Sequence, residues 1–206
     1  YVNLHMALDL PAGTGGGQWQ PLIWTTGDEK QFMERYATAN QENVIAFLTF
    51  DTENANSILS CIKRARENAR SIREVISSEM RVTLNRFYLM LSDPKAAARA
   101  TDDPHDFYTD IKTACALFAG ETEGTMSHGE GWHIAQLRKL VERADKTSRI
   151  LDVKFYILLP RVEFVGMPID TIQWAALLKS ASSLEMFRQR FATITPRRVA
   201  ECLLLD

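Results

Sequence analysis

Three arginines, Arg66, Arg70 and Arg73, stand at i, i+4 and i+7, so on a helix they form one ridge of guanidinium groups. Such a row can grip a carboxylate or a phosphate through charge-assisted forks. Glu67 and Glu74 flank it, which leaves a solvated or internally paired face as the alternative. If the ridge is a ligand site, Glu79 and Asn85 on the following helix belong to its rim. A second constellation is Glu142-Arg143. Adjacent residues on a helix point about 100° apart, so these two cannot pair with each other. Each must find a partner on another helix, on a ligand or in water, which makes them either a tie between helices or candidate catalytic or ligand-binding groups.

Other chemistry is missing from the pattern. His128 and His133 are five apart, a spacing that matches neither a zinc helix nor a finger, and His5 and His105 are isolated. No metal is expected. Gly15-Gly16-Gly17 is followed by no Lys-Ser/Thr and preceded by no strand, so it is no phosphate cradle. No Gly-x-Ser-x-Gly elbow occurs, and no cofactor is expected. Cys61, Cys115 and Cys202 are odd in number and lie far apart in apolar helical patterns, which reads as reduced core residues of a cytoplasmic protein.

The elements that would hold these residues are helices. From Gly131 to Pro160 small and apolar residues recur at Ile134, Leu137, Val141, Ala144, Ser148, Leu151, Phe155 and Leu158. These steps of three and four make one stripe along a helix of about eight turns, and the stripe calls for partners. Arg138, Glu142, Asp145, Lys146 and Arg149 lie opposite, with Glu142 one turn from Arg138 and from Lys146. Val2–Leu10 reads as the end of a helix closed by the Pro11–Gly17 loop. Helices are expected over 18–26, 28–39, 40–50, 56–77 and 78–91. Asp93-Pro94 and Asp103-Pro104 mark two further starts, the second helix dissolving at Gly120–Gly129. Later helices open at Asp170, Ser182 and Thr195-Pro196. Val162–Val165 alone looks β-like, and one short segment makes no sheet.

The 206 residues suffice for a sizeable core in a single domain. A formal charge of −2 and a pI near 6.1 leave no cationic excess for tracking phosphates along a nucleic acid. No apolar run reaches the roughly eighteen residues a membrane span needs, so no membrane partner is expected.

An internal repeat organises the chain. An offset of 155 puts Gln18-Trp19 on Gln173-Trp174, Leu22 on Leu177, Phe32 on Phe187, Arg35 on Arg190 and Ala37-Thr38 on Ala192-Thr193. Val44 then falls on Val199, Leu48 on Leu203 and Asp51 on Asp206, ten identities in the 34 positions from 18 to 51. The expected architecture is an all-α bundle of two pseudo-symmetric repeats, cut at both ends. Its first repeat core spans 1–51 with helices over 56–91, its linker helices 93–126, and its second repeat core 127–206, all within one domain.

Glu142-Arg143-Ala144-Asp145 followed by Thr147–Asp152 resembles the signature of the bacterial alpha-E superfamily, an all-helical family named for its Glu-Arg motif. Gly124-Thr125-Met126 with Trp132, Asn56-Ser57-Ile58 with Cys61, and Ala65–Arg70 with Arg73, Glu79, Leu84 and Asn85 resemble further family segments. The chain departs from the pattern at Arg138-Lys139, where the family has Gly-Arg, and at Arg81, where it has Trp. The resemblance implies association with ATP-grasp-type amide ligases and transglutaminase-like proteins, hence an accessory role in peptide synthesis or modification. The competing expectation is an enzyme or small-anion-binding protein that uses Glu142, Arg143 and the arginine ridge.

Overall fold

The computed structural model describes residues 19–157 and 167–205, and every regular element among them is helical. The expected helix over Val2–Leu10, the glycine loop and Val162–Val165 lie outside the described residues. The chain gathers into two compact units, Tyr1–Asn40 with Leu140–Asp206, and Gln41–Lys139.

In the first unit α1 (Gln20–Thr26) and α2 (Glu29–Met33) are separated by Gly27, whose φ of 77° lies in the left-handed region. Glycine enters that region without steric cost. A Cβ here would also come within 2.6 Å of Arg149 Nη1. Helix α2 is shorter than the 28–39 expected, because Glu34 to Asn40 turn instead of continuing. The second half of the unit holds the end of α8 (Glu130–Asp152), a π-helical turn over Val153–Ile157, α9 (Pro168–Ser180), α10 (Leu184–Arg190) and α11 (Pro196–Leu205). Helix α9 opens on Pro168, two residues before the Asp170 expected, since proline's fixed φ suits a first turn. Leu151, Trp174, Leu177, Leu178, Phe187, Val199 and Cys202 close one apolar core.

Lys154 is fully buried beside that core. Its Nζ donates to Asp170 Oδ1 at 2.9 Å and to Gln173 Oε1 at 2.6 Å, and lies 5.0 Å from the centroid of the Trp174 ring. Burial pushes the ammonium below its ordinary range, and the Asp170 carboxylate opposes that shift.

The second unit contains α3 (Gln41–Ile45) running into a π-helical turn at Ala46–Phe50, then α4 (Ile58–Ser71), α5 (Ser78–Leu91), α6 (Ala96–Asp102), α7 (Pro104–Thr125) and the start of α8. Side chains define the starts. Ser57 Oγ accepts from the Ser60 amide, Ser77 Oγ from that of Met80, and Asp103 from that of Asp106, each satisfying an orphan N–H of a first turn. Asp93-Pro94 opens α6 less directly: Asp93 caps the Lys95 amide and the helix begins at Ala96. Helix α7 runs through Gly120 and Gly124 to Thr125 rather than dissolving there. Thr83 Oγ1 donates to Glu121 Oε1 at 2.8 Å and Thr125 Oγ1 to Ser77 Oγ at 2.8 Å, so the end of α7 is anchored on α5. A glycine's cost of about 1 kcal/mol within a helix is small beside such docking. Ile45, Phe87, Leu91, Ala96, Ala100, Phe107 and Ile111 form the core, with Thr49 and Tyr108 hydroxyls paired at 2.7 Å.

Two expectations are corrected. The stripe along α8 is covered only towards its C-terminal end, at Leu151, whereas Ile134, Leu137 and Val141 are exposed. Periodicity sets which residues share a face, but the face is buried only where another element reaches it. Of the three cysteines only Cys202 is a core residue; Cys61 and Cys115 are exposed, and none of the three is in a disulfide. No helix among the described residues is long and apolar enough to cross a membrane.

Candidate functional site

Helices α4 and α5 are joined by the short Ile72–Ser77 connection and pack together as a hairpin. Ala69 on α4 and Met80, Leu84 and Phe87 on α5 are buried, which rotates the arginine ridge of α4 out of the core but keeps it beside α5. Between the helices lies a groove of about 550 Å³, lined wholly by residues of this hairpin. From α4 and the turn it takes Arg66, Arg70 and Arg73; α5 adds Arg81 and Arg86. Asn85 and Ser78 supply neutral polar groups, and Val82 and Leu89 are the exposed apolar ones. No carboxylate among the described residues lines the groove.

Its arginines are held to different degrees. Arg66 is half-buried, its Nε donating to Asn85 Oδ1 at 2.9 Å and its guanidinium lying 4.6 Å from the Tyr88 ring centroid. Asn85 therefore acts as the orienter of Arg66. Arg70 is shared with Glu67, its Nη1 lying 2.9 and 3.1 Å from the two carboxylate oxygens. Both groups of that pair are about half exposed, so the tie is weak and open to competition. Arg73 and Arg86 make no side-chain hydrogen bond or ion pair with any described residue. Glu79 lies outside the lining, accepting from Ser78 Oγ at 3.0 Å. Its own backbone amide, and then the Ser78 hydroxyl, hold its carboxyl below the ordinary carboxylate range, with a smaller contribution from Arg81.

Reading α4 alone missed Arg81 and Arg86. The signal was present in the spacing of α5, where Arg81 and Asn85 are one turn apart and Val82, Arg86 and Leu89 fall at i, i+4 and i+7. Arg81 stood out only as a departure from tryptophan, and the departure adds a cation to the groove.

Glu142 and Arg143 are both exposed and have no partner among the described residues. The ion pairs nearby belong to Asp145, which takes Arg149 Nε at 3.0 Å and Lys146 Nζ at 3.8 Å. A second adjacent Glu-Arg, Glu34-Arg35, follows α2. No group of three His, Cys, Asp or Glu among the described residues is placed to hold a metal ion.

Paired helices that expose an arginine-lined groove, with an adjacent Glu-Arg free on a long helix, define an all-helical protein whose polar chemistry lies on its surface. The chain belongs to the Alpha-E family, described as a predicted alpha-helical domain with a conserved ER motif, whose model matches residues 1–206. No curated protein and no solved structure matches it.

Proposed function

We propose that this chain is a helical recognition module that binds an anionic group in the α4–α5 groove. The observation that carries this reading is the lining itself: among the described residues, five arginines and no carboxylate, in a chain whose net charge is −2. Gathering like charges is unfavourable unless an anion offsets them, and guanidinium forks suit carboxylates and phosphates. The module serves an ATP-grasp-type amide ligase or a transglutaminase-like protein in peptide synthesis or modification, as the alpha-E resemblance implies. Glu142-Arg143 is the family's motif and the point at which a partner helix engages.

The repeat belongs to the same reading. Its support is local: at the offset of 155, left-handed Gly27 (φ 77°) corresponds to left-handed Ser182 (φ 57°). Thr25 Oγ1 donates to the Pro21 carbonyl as Ser180 Oγ does to that of Ala176. The Phe32–Tyr36 ring contact at 5.1 Å has its counterpart in Phe187–Phe191 at 5.0 Å.

Calorimetric titration of the whole chain with tripolyphosphate and with citrate tests the groove. Binding should be salt-sensitive and at least about tenfold weaker in Arg73→Glu/Arg86→Glu, since each charge-assisted bond contributes about 1.5–3 kcal/mol. Binding that is absent, or unchanged in that variant, would sink the reading. An ATP-dependent ligation assay with and without the protein tests the association separately.

A further inference from the structure

The groove holds more than an anion needs. Val82 and Leu89 are 56% and 57% exposed, and both line it together with the buried Ala69. The lining along α5 runs from Ser78 to Leu89, eleven rises of 1.5 Å or about 16 Å. The cations are spread along this length. Val82 and Leu89 are seven residues apart on α5, about 10 Å, and on the other side Arg66 and Arg70 stand on α4 with Arg73 in the turn beyond its end. A single phosphate spans only a few ångströms and draws nothing from exposed aliphatic side chains. A ligand that satisfies both features carries several anionic groups at side-chain spacing, with apolar groups among them.

We propose that the groove's ligand is a polypeptide segment, acidic and interspersed with leucine-like residues, that lays its carboxylates on Arg73, Arg81 and Arg86 and its apolar side chains on Val82 and Leu89. Charge complementarity selects it: the lining is cationic and apolar, with no acid to repel carboxylates. Arg73 and Arg86 are free of partners among the described residues, so pairing with them breaks no existing bond. This inference rests on the groove's being an anion site and goes further by naming the ligand's chemistry.

Fluorescence anisotropy on the whole chain tests it with three probes: a labelled peptide of Glu and Leu, one of the same length with Ser replacing Leu, and tripolyphosphate as competitor. The Glu/Leu peptide should bind at least about tenfold more tightly than the Glu/Ser peptide, because burying even one leucine-like side chain is worth a factor of ten. Val82→Ser/Leu89→Ser should erase that preference, and Arg73→Glu/Arg86→Glu should abolish binding. All four positions are exposed, and far-UV circular dichroism verifies that both variants fold. Equal binding of the two peptides would overturn the apolar part of the ligand, and tripolyphosphate binding in calorimetry with no peptide binding would overturn the polypeptide ligand, either result leaving the anion groove standing. No binding of any probe, or binding that survives the arginine reversal, would overturn both.

Discussion

The two compact units treat positive charge in opposite ways. In the first, Lys154 is withdrawn from water and given a carboxylate, an amide oxygen and an aromatic face within 5.0 Å. In the second, five arginines share one open groove, and among the described residues only Arg70 of them has a carboxylate hydrogen bond, to Glu67. A buried cation must be paired, since the desolvation of an unpaired ion costs several kcal/mol. A surface cation has no such requirement, so an unneutralised group of them reports something other than folding. Lys154 is a structural residue by this criterion, and the arginines are the residues we propose for recognition.

The largest effect is expected where the pairing is removed. Asp170→Ala leaves Lys154 buried without its carboxylate and should cost about 3–5 kcal/mol in urea denaturation. Lys154→Met/Asp170→Leu removes both charges and should cost less. If Asp170→Ala were no more damaging than this double variant, the unit would not depend on charge pairing and the contrast would fail.

A smaller loss follows from the left-handed turn in the same unit. Gly27→Ala forces a Cβ onto a φ of 77° and towards Arg149 Nη1, which should cost about 1–2 kcal/mol for the backbone alone. Ser182, already at φ 57°, should gain a few tenths of a kcal/mol when changed to Gly, because relief of strain and the added chain entropy nearly cancel. Equal and opposite melting shifts are not expected.

The pH dependence sharpens the comparison further. Burial holds Lys154 below its ordinary value of 10.5, so between the folded and unfolded pKa the unfolded chain binds the extra proton. The penalty is present in full below the folded pKa and is relieved as pH rises towards 10.5. The stability of the parent relative to Lys154→Met should therefore increase on going from pH 8 towards the alkaline end. A falling difference would mean that Asp170 outweighs desolvation.

The smallest effects on stability belong to exposed charges. Arg73→Glu/Arg86→Glu should leave the melting midpoint near the parent's while anion binding is lost, the reverse of the Asp170 result. Glu142→Ala should also melt like the parent, since Glu142 is exposed in this chain. A strong loss in thermal denaturation of that variant would place Glu142 in a buried pair with another helix or chain.

Much of the framework was legible from local chemistry. Asp103-Pro104 and Thr195-Pro196 announce α7 and α11, and the serines before α5 supply its cap, because capping depends on a few neighbouring residues. Helix ends were less legible. Helix α4 stops at Ser71 although its pattern runs on to Ser77, and α7 passes two glycines, because packing by the partner helix outweighs propensities of about 1 kcal/mol.

Half of the candidate site could be read directly. The spacing of Arg66 and Arg70 put them one turn apart on α4, and both line the groove; Arg73, expected on the same helix, lines it from the Ile72–Ser77 connection because α4 ends at Ser71. Residue order by itself determined that the chain is helical, where most helices begin and which side chains share a face, since all three depend on interactions within about four positions. Only the tertiary structure decided that Arg81 and Arg86 join the α4 ridge, that Val82 and Leu89 stand beside them, and that Lys154 reaches Asp170 sixteen residues away. Those juxtapositions depend on how one helix is laid against another, and helical period says nothing about which face the next helix will present.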